Sequence, residues 1–130
     1  MDLAIAKTRF VRIPPRKARL VADLIRGLSI EDAGIQLAHC NMKAGRHFKK
    51  TLDSAVANAQ MQFDARPDQL VVVEVKVDEG PRLKRSKSKC RGGQVPVIKR
   101  MSHFTVVVGE KKEGVASAKS RKEKRVRGKQ

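Results

Sequence analysis

The sequence predicts an α+β fold in which three helices pack on a small antiparallel sheet, with one long protruding β-hairpin and a basic C-terminal tail. Three stretches in the first half repeat apolar residues at helical spacing, and two valine-rich runs in the second half favour strands. The gap between those runs, residues 78–103, is much longer than an ordinary hairpin loop. Hydrophobic residues make up 40% of the 130 positions, which is enough for one small core.

The N-terminal part of the chain favours a short strand followed by a helix. Leu3 to Val11 mixes apolar and basic residues in loose alternation, which is typical of a short strand. Proline is tolerated in the first helical turn and apolar residues then recur at helical spacing, so we predict a helix from about Pro15 to Arg26. Gly27 is expected to end this helix.

Two further helices follow. Ser29, with Asp32 three residues later, resembles a capping box and predicts the start of a short helix that ends near His39. Asn41 is the expected N-cap of a third helix, whose apolar stripe runs from Met42 to Phe63.

The two valine-rich runs predict strands at Leu70 to Val77 and Phe104 to Val108. Strict alternation would place four valines of the first strand on one face, opposite Glu74 and Lys76: Val71, Val73, Val75 and Val77. Between the two strands, a hairpin with arms at Arg82 to Lys89 and Gln94 to Met101 is the most economical interpretation. Arms of about 8 residues at roughly 3.3 Å each would reach about 25 Å. The neighbouring Gly92 and Gly93 permit a tight turn between them.

The charge is distributed unevenly along the chain. The net charge is +17, from 30 Lys and Arg against 13 Asp and Glu. Residues 1–80 hold 13 basic and 10 acidic side chains, residues 81–110 hold 8 and 1, and residues 111–130 hold 9 and 2. The excess therefore lies in the predicted hairpin and the tail, which indicates a polyanionic partner. A flexible basic loop with no specific role is the simpler alternative for the hairpin.

Several functional classes are disfavoured. Cys40 and Cys90 lack metal-binding spacing, so we expect no metal and no cofactor. The carboxylates of Asp78 and Glu79 would point to opposite faces of a strand, which favours ion pairing over catalysis. Trp and Tyr are absent, which argues against recognition of single strands by stacked aromatic residues. We expect neither a signal peptide nor a membrane span, and therefore a protein of the cytosol or of its organellar equivalent.

Five segments resemble the bacterial ribosomal protein L-twenty-two family, and the resemblance covers about residues 3–110. They read RLVADLIRG from Arg19, SAVANA from Ser54, VDEGP from Val77, KR from Lys84 and KRMSHFTVVV from Lys99. The segments occur in the family's order, so together they are far more specific than any one alone. The tip of the predicted hairpin departs from the family pattern, with Ser88 in place of a proline and Gly93 in place of a cation.

This resemblance implies a structural protein of the large ribosomal subunit and no enzyme. It implies a domain at residues 1–110 that binds large-subunit ribosomal RNA, supports subunit assembly and lies beside neighbouring ribosomal proteins. The hairpin, at about residues 82–101, would line the nascent-peptide exit tunnel and contact the growing polypeptide. Neither a membrane nor a second copy of the chain is an expected partner, and the location would be the ribosome of a bacterium or a plastid-like organelle.

The residues expected to bind ribosomal RNA by this resemblance are cations of the first helix region and of the hairpin, together with one histidine: Arg12, Arg16, Lys17, Arg19, Lys84, Arg85, Lys87, Lys89, Arg91, Lys99, Arg100 and His103. The expected tunnel-lining tip is Lys89, Cys90, Arg91, Gly92 and Gly93.

Residues 111–130 are expected to form a basic extension that is disordered when free. An RNA-binding role and an unbound tail are both open for it. The rival functions are a nucleoid-type DNA-binding protein, which should show a dimerising pattern or a recognition helix, and an RNA-acting enzyme, which should show convergent titratable groups.

Overall fold

The computed structural model describes residues 2–110, so the predicted extension at residues 111–130 lies outside the described part of the chain. Within it, three strands form one antiparallel sheet, in the spatial order β1 (Leu3–Val11), β3 (Gln94–Glu110), β2 (Leu70–Ser88). This arrangement confirms the predicted α+β fold with its long hairpin. The elements are β1 Leu3–Val11, α1 Pro15–Ile25, α2 Ile30–His39, α3 Lys43–Phe63, β2 Leu70–Ser88 and β3 Gln94–Glu110.

The core lies between one face of the sheet and the helices. The aromatic rings of Phe48 on α3 and Phe104 on β3 stack with centroids 4.2 Å apart, and both residues are fully buried. Val21 and Ile25 of α1 are also fully buried, as is Val72 of β2. Helix α3 packs over β1 and β3, while α1 packs over β2. Burial of these apolar faces supplies most of the stability of the fold.

The turn between α1 and α2 protects the outer edge of β2. Gly27 adopts a φ of +77° after the last turn of α1, which an L side chain rarely does. Its N–H donates to Val72 O over 3.0 Å, and Val72 N–H donates to Leu28 O over 2.9 Å. The turn therefore pairs with the start of β2 in the way that a further strand would.

Of the two N-cap residues predicted from the sequence, one is confirmed and one is wrong. Ser29 Oγ accepts a hydrogen bond from Asp32 N–H over 3.2 Å, as the predicted capping motif requires. At α3 the N-cap position belongs to Met42, which makes no side-chain cap hydrogen bond, and Asn41 lies one residue too early. The prediction for Asn41 was wrong because a side chain caps a helix only from the residue that immediately precedes the first turn.

The prediction that four valines of β2 share one face was wrong in the first half of the strand because the strand contains a β-bulge. The register with β3 shifts between Val72 and Glu74, so the buried face changes phase there. Val72 is fully buried and Val73 is 42% exposed, whereas beyond the bulge Val75 and Val77 are buried as predicted. Strict alternation placed Val73 on the same face as Val75 and Val77 because the pattern does not reveal the residue that a bulge adds.

Hydrogen bonds join β1 and the base of the hairpin to the rest of the core. Thr8 Oγ1 lies 2.8 Å from Thr51 Oγ1 of α3. The Ser102 hydroxyl, which is fully buried on β3, donates to Ile13 O over 2.7 Å. Because Ser102 marks the last residue of β3 that pairs with β1, this bond holds the point at which the hairpin leaves the sheet.

The bulge in β2 predicts opposite effects for two neighbouring valines. Val72→Ala should lower the free energy of unfolding by about 2 kcal/mol, because it removes two buried methyl groups. Val73→Ala should change it by less than about 0.5 kcal/mol, because that side chain is partly solvated. Urea denaturation followed by circular dichroism measures both variants, and equal losses would contradict the bulged register.

The hairpin should be dispensable for folding. Deletion of residues 83–99, with an Asn-Gly turn joining Arg82 to Arg100, removes no fully buried side chain and keeps an antiparallel pair at the new turn. We expect cooperative thermal unfolding with a midpoint within a few degrees of the intact chain, measured by circular dichroism. Loss of the cooperative transition would show that the hairpin belongs to the core.

Candidate nucleic-acid interface

Beyond the last residue pair of β1, strands β2 and β3 continue alone as a two-stranded ribbon. Seven pairs, from Arg82 with Arg100 to Ser88 with Gln94, extend it into solvent. At roughly 3.3 Å per residue these pairs span about 23 Å, close to the predicted length. Its side chains are exposed, apart from the half-buried Leu83, so backbone pairing rather than side-chain burial holds the ribbon together.

The two arms of the ribbon differ in chemistry, which sequence reasoning missed. Basic side chains lie mainly on the β2 arm, whereas the β3 arm carries the sequence Val95-Pro96-Val97-Ile98. Three cations of the β2 arm lie opposite apolar residues of the β3 arm: Lys84 faces Ile98, Arg85 faces Val97 and Lys87 faces Val95. Each of these cations therefore has an apolar neighbour instead of a like charge, which removes the repulsion that opposed cations would cause. The run of apolar residues in the β3 arm is the feature of the sequence from which this difference between the arms could have been predicted.

The base of the ribbon contains the ion pair expected for the acidic residues there. Arg82 Nη2 donates to Glu79 Oε2 over 2.8 Å, beside the bulge between these residues. This hydrogen bond and the charge of Arg82 lower the pKa of the exposed Glu79, with smaller contributions from Arg19 and Arg100. Glu79 is therefore ionised at neutral pH and offsets part of the positive charge where the arms meet the sheet.

The tip of the ribbon is a tight turn over Cys90–Gly92, closed by a hydrogen bond from Lys89 N–H to Gly93 O over 2.7 Å. Arg91 and Gly92 both adopt positive φ, of 60° and 73°. Gly93 has an extended φ of −69°, so the turn requires the freedom of only one of the two glycines. The five predicted tip residues lie together at the end of the ribbon farthest from the core.

The predicted cations outside the ribbon are distributed over two surfaces. Arg12 lines a groove at the base of the ribbon together with Lys99 and Arg100, and it lines a second groove with Lys17 beside α1. Arg16 is exposed on α1. Arg19 instead donates from Nη2 to Val77 O over 3.4 Å, so part of its function is to hold α1 on the sheet. Arg12 is thus the residue that connects the two predicted groups of cations.

His103 lies on the sheet face opposite the core, next to an aromatic residue that the sequence analysis did not select. Its Nδ1 accepts a hydrogen bond from the backbone N–H of Phe10 over 3.0 Å. The two rings are perpendicular, with centroids 4.9 Å apart. Lys7, Arg9 and Asp78 line the same shallow concavity. This contact could not be predicted from the sequence because it depends on the bulge in β1, which brings together residues 10 and 103 of two different strands.

Other kinds of site have less support. Among residues 2–110, no group of three or more His, Cys, Asp or Glu side chains could hold a metal ion. Cys40 is half-buried and Cys90 is exposed, and neither forms a disulfide. In the part of the chain that the structure describes, no helix is both long and apolar enough to cross a membrane.

Comparison with known proteins identifies the family. The family model described as "Ribosomal protein L22p/L17e" matches residues 6–109. A protein of Protochlamydia amoebophila named "Large ribosomal subunit protein uL22" is 60% identical over 108 residues, which cover 83% of this chain and 97% of the relative. A protein of the same name from Chlamydia felis is 55% identical over 106 residues, covering 82% and 96% of the two chains. The chain therefore belongs to the ribosomal protein L22p/L17e family.

Proposed function

We propose that this protein is a structural constituent of the large ribosomal subunit that binds large-subunit ribosomal RNA through its ribbon and the adjoining cations. The observation that carries the proposal is a solvent-exposed β-ribbon whose charged side chains are all basic, eight of them between residues 82 and 100. The bacterial relatives are named as proteins of the large ribosomal subunit, which supports the same assignment. The expected location is the ribosome in the cytoplasm, where neighbouring ribosomal proteins are further partners.

The ribbon needs its counter-charge from a partner. Within the described residues, Arg82 is the one ribbon cation in a salt bridge, and the ribbon itself, residues 82–100, contains no Asp or Glu that could pair with the others. Phosphate groups on either side would neutralise these cations and release condensed counterions, which favours binding. A two-stranded ribbon with both faces exposed can be surrounded by RNA in a way that a flat protein surface cannot.

The apolar arm is consistent with a partner that packs around the ribbon. Val95, Val97 and Ile98 are exposed in the isolated chain, which leaves apolar surface beside the basic arm. Sugar and base surfaces of folded RNA, or the surface of a neighbouring ribosomal protein, would remove this apolar area from water. Contact with RNA along the whole ribbon would also link distant RNA segments, which is how the protein would support subunit assembly.

The tip is the segment proposed to line the nascent-peptide exit tunnel. Lys89, Arg91 and the intervening Cys90 lie at the end of the ribbon, about 23 Å from its base at roughly 3.3 Å per residue. A globular body on one RNA surface could therefore present these residues at a site well inside the RNA. There the growing polypeptide would pass two cations, a thiol and an exposed glycine turn.

The proposed RNA interface is tested by the salt dependence of binding to transcribed large-subunit ribosomal RNA. Each phosphate contact should contribute about 0.7 to 0.9 log units of affinity per tenfold change in salt. The Lys84→Ala and Lys87→Ala double variant should lower this slope by about 1.4 to 1.8. Filter binding between about 50 and 200 mM salt measures this slope for both proteins.

The matched control removes two exposed cations of α3 instead, Lys49→Ala with Lys50→Ala, at the same net charge. Its slope should change less than that of the ribbon variant. Equal changes would mean that RNA responds only to total charge, and a flat dependence for the unaltered protein would rule out phosphate-dominated binding.

Assembly into the subunit is a separate expectation. A tagged copy expressed in a bacterium should sediment with large subunits in a sucrose gradient after a moderate-salt wash, because its cations would be enclosed by RNA. Recovery only in the light fractions would argue against the ribosomal assignment. The variant lacking residues 83–99 serves as the comparison and should be released at lower salt.

A further inference from the structure

Phe10 lies at a bulge in β1 where the backbone conformation disfavours a large side chain. Thr8 pairs with Phe104 and Val11 pairs with Ser102, so Arg9 and Phe10 together oppose His103 alone. Phe10 has a φ of 58°, a left-handed conformation that bulges usually assign to glycine. A bulky residue with positive φ is an outlier that carries a conformational cost, and such outliers concentrate at functional sites.

The conformation directs an aromatic residue to the surface instead of the core. Phe10 is 60% exposed, although Phe48 and Phe104 are fully buried. Its ring is supported on one side by the perpendicular ring of His103, at a centroid distance of 4.9 Å. An exposed aromatic held by a second ring is a preformed surface for stacking, because little side-chain freedom remains to be lost on binding.

The hydrogen bond at His103 defines the chemistry of the second ring. Since Nδ1 accepts from the Phe10 N–H, the neutral imidazole carries its hydrogen on Nε2. Nε2–H is then the remaining donor of this ring. Thr105 and Asp78 line the same concavity, and their side chains carry further hydrogen-bonding groups.

The charges around Phe10 favour a nucleotide over an uncharged apolar ligand. Lys7 and Arg9 are exposed cations of β1 that line the concavity, and Asp78 is the acidic residue in it. The two cations suit a phosphate, while Asp78 would repel one and would instead accept a hydrogen bond from a base amino group or a ribose hydroxyl. The concavity therefore contains a complementary group for a base, for a sugar and for a phosphate.

From this arrangement we propose that the concavity formed by Phe10 and His103 binds one unpaired nucleotide of ribosomal RNA, with its base stacked on Phe10 and its phosphate beside Lys7 and Arg9. The proposal rests on the proposed function and adds a base-stacking contact to an interface otherwise made of cations. The site lies on the sheet face opposite the helices, at the level where the ribbon begins. It would fix the position of the globular body while the ribbon extends into the RNA.

The test compares three substitutions of Phe10 for binding to transcribed large-subunit ribosomal RNA. Phe10→Leu keeps an apolar side chain without an aromatic face and should bind about 5- to 150-fold more weakly, the range expected for loss of one stacked base. Phe10→Tyr keeps the ring and should bind within about 2-fold of the unaltered protein. The slope of affinity against salt should be unchanged in both, because stacking releases no counterions.

Phe10→Asn separates the contribution of the ring from that of folding. Asparagine tolerates the left-handed conformation, so this variant should fold at least as well as the original chain and still lose affinity as Phe10→Leu does. Met61→Ala, at an 88% exposed position of α3, is the control and should bind normally. Thermal unfolding monitored by circular dichroism verifies that all the variants are folded.

The outcomes distinguish this inference from the proposed function. If the unaltered protein showed no salt-dependent RNA binding, the proposed function itself would fail. If it bound and the Leu and Asn variants matched it, the stacked nucleotide would be refuted while the cationic interface stood. A loss in the Tyr variant equal to that in the Leu variant, or a fall in salt slope on removing the ring, would also overturn the proposal.

Discussion

The long antiparallel pairing between β2 and β3 is the constraint on which the rest of the structure depends. In the core these strands are held by side-chain burial, with Val72, Phe104 and Val106 facing the helices. Beyond the bulge between Glu79 and Arg82 the ladder continues for seven pairs with almost no burial, so its register is set by the core pairing and by that bulge. The Ser102 bond to Ile13 fixes the transition between the two parts. The position of every ribbon cation therefore follows from packing at the other end of the strand.

The placement of the ribbon cations opposite apolar residues follows from this register. Because basic residues of β2 lie opposite Val95, Val97 and Ile98, an accumulation of cations is compatible with an ordered hairpin before any partner binds. Arg82 and Arg100 do oppose each other at the base, and Glu79 compensates there. Order in the free ribbon reduces the entropy that binding would otherwise cost. The arrangement thus combines a high density of cations with a defined shape.

Much of the fold could be predicted because long periodic segments report directly on burial. The three helices, the Ser29 cap and the hairpin were all predicted from residue spacing and turn chemistry. The prediction that the chain is not an enzyme is confirmed by its membership of a ribosomal protein family. Apart from the helix cap misplaced at Asn41, the errors arose at bulges, where one extra residue reverses the phase of a strand, as at Val73. The Phe10 contact with His103 was missed for the same reason, since a bulge between strands distant in sequence creates it. The RNA-binding roles of the cations stay predictions, because charge in a sequence identifies no individual phosphate.

The open edges of the ribbon also affect how readily the free protein associates with itself. A two-stranded ribbon exposes unpaired backbone groups along both edges, which could template intermolecular strand addition and aggregation. Lys84, Arg85 and Lys87 oppose this, because a second copy would bring a like-charged arm alongside. Pro96 removes one backbone donor from the apolar arm, the one most prone to such addition. The cations that we propose as RNA contacts therefore also oppose self-association of the free chain.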